Sequence, residues 1–244
     1  MTLIGTGAVL AADLPAAMPA KAPAFAPVPA YDWTGFYVGG HVGAAWDSRE
    51  GTVFSTTTSA TGAISTKASG VVGGGQLGFN YALAPNWLIG LEADVSGTDL
   101  KSSPFSQGAI VQVQHENKID LFGTARGRLG YVWNNWLFYG TGGFAWADEQ
   151  LVRTQVAGTV GAAGPGVTES GSATATGWTA GGGLEWGFTP SWTARVEYLH
   201  LDLGTASITF PVAQQRYDAR ATVDEVRFGV NYLFNLGGPV TGRY

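Results

Sequence analysis

Residues 184–198 read LEWGFTPSWTARVEY, and the order of residue types within them indicates the architecture of the chain. On both sides of a Thr-Pro-Ser turn, aromatic or apolar residues alternate with charged ones: Trp186 follows Glu185, and Val196 follows Arg195. Such a two-residue alternation predicts β-strands that have one apolar and one polar face. Because the turn is short, the stretch predicts two antiparallel strands joined as a hairpin.

The same hairpin unit recurs along the chain. A polar residue followed by Trp begins a predicted strand every fifty residues or so, which indicates an internal repeat. These strand-opening residues are Trp33, Trp87, Trp136 and Trp192. Short turns at 84–86, 133–135 and 189–191 alternate with long Gly/Ser/Thr-rich stretches near 48–68, 100–117, 150–173 and 204–221, which we interpret as loops. The predicted strands lie near 35–47, 69–83, 87–98, 118–132, 136–148, 174–188, 192–203 and 222–234.

Charged residues avoid one face in the central part of each strand that can be oriented. In the strand at 118–132, Ile119, Leu121 and Leu129 share the apolar face, and Arg126 and Arg128 lie on the other. The strand at 136–148 cannot be oriented, because both of its faces carry aromatic residues. The charges on the polar faces are Glu92, Asp94, Arg126, Arg128, Glu185, Arg195, Glu197, Glu225 and Arg227.

This avoidance is expected of a membrane barrel, because an arginine facing lipid costs about 2–4 kcal/mol at the bilayer midplane. Charged residues make up 13% of the chain, and mean hydropathy is only +0.08. No apolar run long enough for a membrane-spanning helix follows the N-terminus. We therefore predict an all-β, eight-stranded antiparallel up-and-down transmembrane β-barrel over residues 31–234, in the outer membrane of a Gram-negative cell, with its short turns in the periplasm. A soluble β-sandwich would not explain a Trp motif at four strand starts.

The inward charges predict a plugged lumen without a wide pore. The interior of an eight-stranded barrel is just wide enough to be filled by side chains, and opposite charges packed there are expected to pair. We expect His41, also on the inner face, to bond to a barrel carboxylate. Inward glycines would leave room for the long side chains; they include Gly74, Gly78, Gly90, Gly181, Gly183 and Gly187.

Aromatic residues at the strand ends predict two girdles, because amphipathic rings favour the membrane interfaces. The periplasmic girdle would consist of Trp33, Trp87, Trp136, Trp192 and Phe234. The outer girdle would consist of Trp46, Trp146, Trp178 and Tyr198.

The N-terminal region has the composition of an export signal and a linker. Residues 1–11 are apolar or small and fit a clipped signal peptide, with Val9-Leu10-Ala11 as the cleavage site. An ordinary disordered N-terminus is the alternative. Residues 12–30 are rich in Ala and Pro, and we expect a semi-extended periplasmic linker.

Three segments resemble the alpha-proteobacterial outer membrane immunogenic protein family, OmpA-like β-barrel surface antigens within the broad porin family. They are YDWTGFYVGG at 31–40, the strand pair within 183–204 and FGVNYLF at 228–234. The resemblance covers about residues 12–234 and is weak in the loops.

The N-terminal Ala-Asp-Leu-Pro at 12–15 also matches the family. In similar proteins this end is implied to be joined to peptidoglycan. The resemblance therefore implies Ala12, beside Asp13, as the linked residue. Family members usually end at the last aromatic residue, whereas here a tail, 235–244, follows Phe234.

For function, the sequence favours a structural role in the envelope with four surface loops, and the resemblance implies a tether to peptidoglycan. The expected partners are outer-membrane lipid and lipopolysaccharide, peptidoglycan and, during biogenesis, the barrel assembly machinery. The net charge of −5 gives no case for nucleic acid, and we expect no cofactor and no metal. A small diffusion channel is the alternative. A barrel-embedded lipid-modifying enzyme, for which His200, Asp202 and Ser207 are the nearest candidates, and a soluble lipocalin-like binder are less favoured.

Overall fold

The computed structural model describes residues 31–56, 61–102, 105–107 and 112–235. The predictions made for the signal remnant, the linker, Ala12, Asp13 and the tail after Asn235 lie outside the described residues.

Within these ranges the chain forms one closed antiparallel sheet. The strands are β1 (Gly35–Ser55), β2 (Thr61–Ala84), β3 (Trp87–Thr98), β4 (Lys101–Ser102), β5 (Phe105–Gln107), β6 (Gln112–Trp133), β7 (Trp136–Ala157), β8 (Thr168–Thr189), β9 (Trp192–Phe210) and β10 (Gln215–Asn235). The eight long strands pair with their neighbours in order, β1 pairs with β10, and β3 pairs with β6, so the ring closes. The short strands β4 and β5 pair only with β6. The prediction of an eight-stranded up-and-down barrel is confirmed.

The two faces of the wall differ as the alternation predicts. Along β1, Phe36, Val38 and Val42 are exposed on the outside, whereas His41 and Ala45 are buried in the lumen. The outside therefore presents an apolar band, and the lumen holds the polar residues. A closed ring suits this environment, since an open sheet edge would leave backbone groups unpaired in lipid.

Strand β7, whose orientation the sequence leaves open, turns Leu137 and Tyr139 inward and Phe138 and Phe144 outward. The placement of Ile119 on the lipid-facing side is wrong. A register shift in the β6–β7 pairing between Ile119 and Leu121 reverses the parity, and Ile119 is buried in the lumen. An alternation pattern cannot detect an extra residue in one strand.

Most of the predicted loops are strand. β1 continues through residue 55, β7 through 157 and β9 through 210, so the described connections at this end, called the extracellular end after its predicted side, shrink to short segments such as 158–167 and 211–214. These extensions lie past the exposed rings of Trp46, Trp178 and Tyr198, where a barrel in a membrane faces water and outward residues no longer need to be apolar. The backbone pairing continues all the same, because ladder hydrogen bonds do not depend on the outward side chains.

The end with the short turns, called the periplasmic end after its predicted side, is held together turn by turn. In the two-residue turn between β6 and β7, Asn134 adopts φ 56°, a left-handed conformation that Asn tolerates well. The neighbouring Asn135 uses its side-chain amide to donate to the Gly187 carbonyl, 3.1 Å away, at the end of β8. Likewise, Asn86 donates to the Val132 carbonyl at 2.9 Å. Each turn is thus bonded to the next hairpin.

The assignment of Trp33 to the periplasmic girdle is wrong. Only 3% of its surface is exposed, and it packs inside the barrel against Leu88, Leu137 and Tyr139. The reason is parity: the outward residues of β1 are even-numbered, whereas the other three strand-opening Trp residues have the parity of the lipid-facing side of their strands. Trp33 therefore closes the lumen at its periplasmic end.

The described residues include no helix that is both long and apolar enough to cross a membrane.

We expect Trp33→Ala to lower the free energy of unfolding by about 3–5 kcal/mol, as for a buried aromatic residue. Trp87→Ala, which removes an exposed ring, should cost less. Urea unfolding in lipid vesicles, followed by the mobility of unboiled protein on SDS gels, measures both. Equal losses in the two variants would contradict the burial of Trp33.

Candidate functional site

The lumen of the barrel holds a cluster of charged side chains at mid-height, referred to below as the charge network. All of its members are at most 5% exposed. It comprises Glu92, Asp94, Arg126, Arg128, Glu185, Arg195, Glu197, Glu225 and Arg227. The four arginines and five acids come from β3, β6, β8, β9 and β10, so the network ties together strands far apart in the chain.

Glu92 is the centre of the charge network. Its carboxylate accepts hydrogen bonds from Arg126 and Arg195, and the Tyr37 hydroxyl donates to it at 2.6 Å. The guanidinium of Arg227 lies 3.5 Å from it and that of Arg128 lies 3.7 Å away. One carboxylate therefore faces all four arginines of the network, which makes it the group whose loss would leave most positive charge uncompensated.

The outer part of the network is a lattice of shared ion pairs. Arg126 lies 3.0 Å from both Asp94 and Glu197. Arg227 bonds to Glu197 at 2.7 Å and to Asp94 at 3.2 Å. Because each acid serves two arginines, every charge has opposite charges around it, which a dry interior requires.

The inner part of the network surrounds Arg128. Its guanidinium bonds to Glu185 at 3.0 Å and lies between the rings of Tyr37 and Tyr139, 5.1 and 4.8 Å from their centroids. Both aromatic faces thus add cation–π attraction in a desolvated setting. Glu185 also accepts a hydrogen bond from Asn231 at 2.8 Å.

Glu225 is the least integrated member. It is fully buried, its nearest ion-pair contact is Arg227 at 4.0 Å, and within the described residues neither carboxylate oxygen has a hydrogen-bond partner. It faces Leu199 in the β9–β10 register, at the border of an apolar layer. The fifth acid therefore lies outside the paired lattice.

His41 lies on the inner face as expected, but the prediction that it bonds to a carboxylate is wrong. The ring lies in the lumen but bonds to Gln76 at 2.6 Å and to the Ser96 hydroxyl at 2.8 Å rather than to a carboxylate. The carboxylates nearby are already occupied by arginines, and the neutral amide and hydroxyl satisfy both ring nitrogens.

Glycine creates the room that the network needs. A Cβ on Gly78 would lie 2.3 Å from the Tyr37 hydroxyl, and one on Gly183 would lie 2.7 Å from that of Tyr139. Either contact would displace a tyrosine that flanks Arg128. These inward glycines are therefore part of the site.

Apolar layers enclose the charge network on both sides. On the periplasmic side lie Trp33, Leu88, Leu137 and Tyr139. On the outer side lies a larger cluster that includes Ala45, Val72, Leu100, Ile119, Phe122, Leu199, Leu201 and Val223. The lumen is consequently filled with alternating polar and apolar layers.

Beyond the outer girdle the lumen holds further charges that sequence reasoning missed. Arg49 bonds to Asp47 at 2.7 Å and lies 3.3 Å from Glu149, and Arg153 is fully buried farther out. Glu149 and Arg153 fall in a stretch interpreted as a strand end and a loop. The signal was present, since both keep the inward parity of Leu137 along β7.

The residues weighed for enzymatic chemistry are not brought together. His200 pairs with Asp224 at 2.8 Å on the outer surface, not with Asp202. Asp202 bonds to Arg220, and Ser207 accepts from Arg216 at 3.0 Å. Among the residues that the structure describes, no group of three or more His, Asp or Glu side chains is arranged to hold a metal ion.

Exposed rings lie at both ends of the lipid-facing band. At the periplasmic end, Trp87, Trp136, Trp192 and Phe234 point outward. Three of these rings contact an aromatic neighbour on the adjacent strand: Trp87 with Tyr131, Trp136 with Trp186 and Trp192 with Tyr232. At the outer end, Trp46, Trp178 and Tyr198 are exposed and Trp146 is half-buried.

The model of a known family, the outer membrane protein beta-barrel domain, matches residues 9–234. The chain belongs to this family. It is 32% identical over 212 residues to the 31 kDa outer-membrane immunogenic protein of Brucella melitensis, covering 85% of this chain and 86% of that protein. It is 31% identical over 185 residues to the 22 kDa outer membrane protein of Rhizobium leguminosarum, covering 71% of this chain and 66% of that protein. These relatives confirm the family predicted from sequence and its place in the outer membrane.

Among solved structures, the chain is similar to the outer membrane protein OprG from Pseudomonas aeruginosa. The TM-score is 0.47 at 15% identity, over 82% of this chain and 97% of the other.

We expect Glu92→Gln to lower the free energy of unfolding by about 3–5 kcal/mol, because it leaves buried arginines without their shared counter-ion. The matched control is Asp218→Asn, which breaks the Asp218–Arg216 pair, whose side chains are 23% and 53% exposed. That variant should lose much less, as surface pairs do. Urea unfolding of both in vesicles checks this, and a small loss in Glu92→Gln would show that the network is not a stabilising unit.

Proposed function

We propose that this outer-membrane barrel has a structural role and does not conduct solutes. The observation that carries the proposal is the filled lumen, in which the charge network lies between two apolar layers. A polar lumen is compatible with a channel only if water has a continuous path through it. Here ion pairs of 2.7–3.2 Å cross the barrel, and apolar side chains lie on both sides of them.

A non-enzymatic role is part of the same proposal. Two observations support it. His200, Asp202 and Ser207 do not bond to one another but to other residues, and the relatives are named for immunogenicity. Nucleophilic catalysis requires a nucleophile and a base within hydrogen-bonding reach, oriented by a third group.

Reconstitution in planar bilayers tests the closed lumen. We expect no stepwise ionic conductance from the protein at 1 M salt, since no water column passes the network, whereas a general porin in the same bilayers provides the positive control. Trp33→Ala, which opens only the periplasmic layer, should also remain closed. Reproducible conductance steps from the unaltered protein would favour the small diffusion channel instead.

The proposed partners follow from the location. Exposed rings at both interfaces suit outer-membrane lipid and lipopolysaccharide. The barrel assembly machinery would act during biogenesis, and the N-terminal segment would reach the peptidoglycan. In this arrangement the barrel anchors the outer membrane, and the segment before Tyr31 links it to the cell wall.

The tether has a direct chemical test. We expect sacculi boiled in SDS to retain the protein and muramidase to release it, with a peptidoglycan fragment on Ala12 detected by mass spectrometry. Asp13→Asn, which alters the Ala-Asp end, should reduce the retained fraction. The matched control, Asp32→Asn, changes an acid at the barrel rather than at that end and should not. Complete removal of the unaltered protein by boiling SDS would exclude a covalent tether.

A further inference from the structure

The extracellular mouth of the barrel is covered by the segment between β7 and β8, residues 158–167, called the cap below. Its Ala162 amide donates to the Val212 carbonyl, 2.8 Å away, at the tip of the β9–β10 hairpin. Ala163 is fully buried against lumen residues that include Leu151, Phe210 and Tyr217. The cap is therefore seated on a packed apolar cluster formed by the inward faces of the extracellular strands, and this region is called the chamber below.

Arg153 lies in this chamber as a buried cation. Its side chain is fully covered, with Nε donating to Gln215 at 3.1 Å and Nη2 donating to Gln155 at 2.6 Å. Nη1 has no hydrogen-bond partner among the described residues. Both of its bonds are thus to neutral amides.

In the described part of the chain no carboxylate lies within ion-pair distance of this arginine; Glu169, opposite it in the β7–β8 register, attracts it only from farther away. The two carboxylate oxygens of Glu169 instead accept hydrogen bonds from the backbone N–H groups of Val212 and Ala213, at 2.8 and 2.9 Å. Glu149 pairs with Arg49 and is four positions away along β7, about 13 Å at the rise of an extended strand. Every other arginine described in the lumen forms an ion pair with a carboxylate, and Arg153 does not.

His115 lies opposite Arg153 in the β6–β7 register and stacks on Tyr217, with 6.3 Å between ring centroids. Burial, together with the charge of Arg153, lowers the pKa of His115 to about 4. The ring is therefore neutral near pH 7 and available as a hydrogen-bond donor without adding charge.

A buried cation without a counter-ion is costly, and an anion supplied from outside would remove that cost. The surroundings restrict the kind of anion. Apolar side chains form the walls of the chamber, so a small hydrated ion would lose its water shell there with little compensation, whereas an anion attached to an apolar body would bury that body at the same time.

We propose that the extracellular chamber under the cap is a binding site for small amphiphilic carboxylates, with the carboxylate on Arg153 and the apolar body against Leu151, Phe210 and Tyr217. The structure shows the closed state, in which Ala163 of the cap occupies the place of the ligand's apolar body. Binding requires the cap to leave the mouth, and the ligand then stabilises the open state through its better contacts.

Binding of 2-naphthoate to the protein in lipid nanodiscs, measured by isothermal titration against empty nanodiscs, tests the site. We expect saturable binding that weakens about tenfold or more in Arg153→Met, since hydrogen bonds to a charged group are lost. Arg216→Met is the matched control, because Arg216 lies at the same end of the barrel but is exposed. It should bind as the unaltered protein does.

Two further ligands define the chemical class. Neutral 2-naphthalenemethanol and inorganic phosphate should each bind at least about tenfold more weakly than 2-naphthoate, since each lacks one half of the interaction. Equal binding of the alcohol would reduce the site to apolar partitioning, and equal binding of phosphate would exclude an amphiphile as the ligand. Either result would overturn the proposal.

A disulfide lock tests the role of the cap, in a chain that has no cysteine of its own. The double variant Ala162→Cys with Val212→Cys should bind 2-naphthoate when reduced and lose binding when oxidised.

The stability of Arg153→Met is a separate test. Without ligand, this variant should unfold at the same temperature as the unaltered protein or at a higher one, because it removes an uncompensated charge. Unchanged binding in the oxidised lock, or a lower unfolding temperature of Arg153→Met than of Arg216→Met, would overturn the proposal.

Discussion

The structure depends on one constraint: in hydrocarbon, each backbone N–H and C=O group must find its partner within the protein. A sheet meets this requirement only by closing, and the pairing of β1 with β10 and of β3 with β6 closes it. Once closed, the wall separates two solvents. Outward residues meet lipid and are apolar, while inward residues lie in a space too narrow for bulk water, where a charge that no other side chain compensates is costly.

The charge network is how this chain meets the second requirement. Glu92 faces four arginines, and Arg126 and Arg227 each contact several acids, so positive and negative groups are shared rather than paired one to one. Such sharing leaves little freedom for any single side chain and makes the plug a property of the closed barrel. The same logic distinguishes Arg153, which has the burial of the network arginines without their carboxylates.

Much of this arrangement is predictable from sequence because the membrane imposes a rule that can be tested along the chain. Charges on the lipid-facing side are costly, so parity within each strand is enough to assign the nine inward charges to one side of the wall. The rule loses its force beyond the membrane. There outward Ser, Thr and Gly residues are as acceptable as apolar ones, so alternation does not distinguish the strand extensions from loops. Glu149 and Arg153 keep the inward parity of Leu137, but that parity is informative only once β7 is known to continue that far.

The sequence by itself determined the strand count, the direction of the two faces and the residue types that would meet in the lumen, because these follow from local alternation and turn chemistry. Tertiary structure decided what depends on register and on contacts between distant strands. It turned Trp33 inward, moved Ile119 into the lumen through a register shift, gave His41 the partners Gln76 and Ser96, and brought the cap onto the mouth beside Arg153. A shift of one residue reverses every side chain that follows it, and only the closed, paired ring shows where such shifts occur.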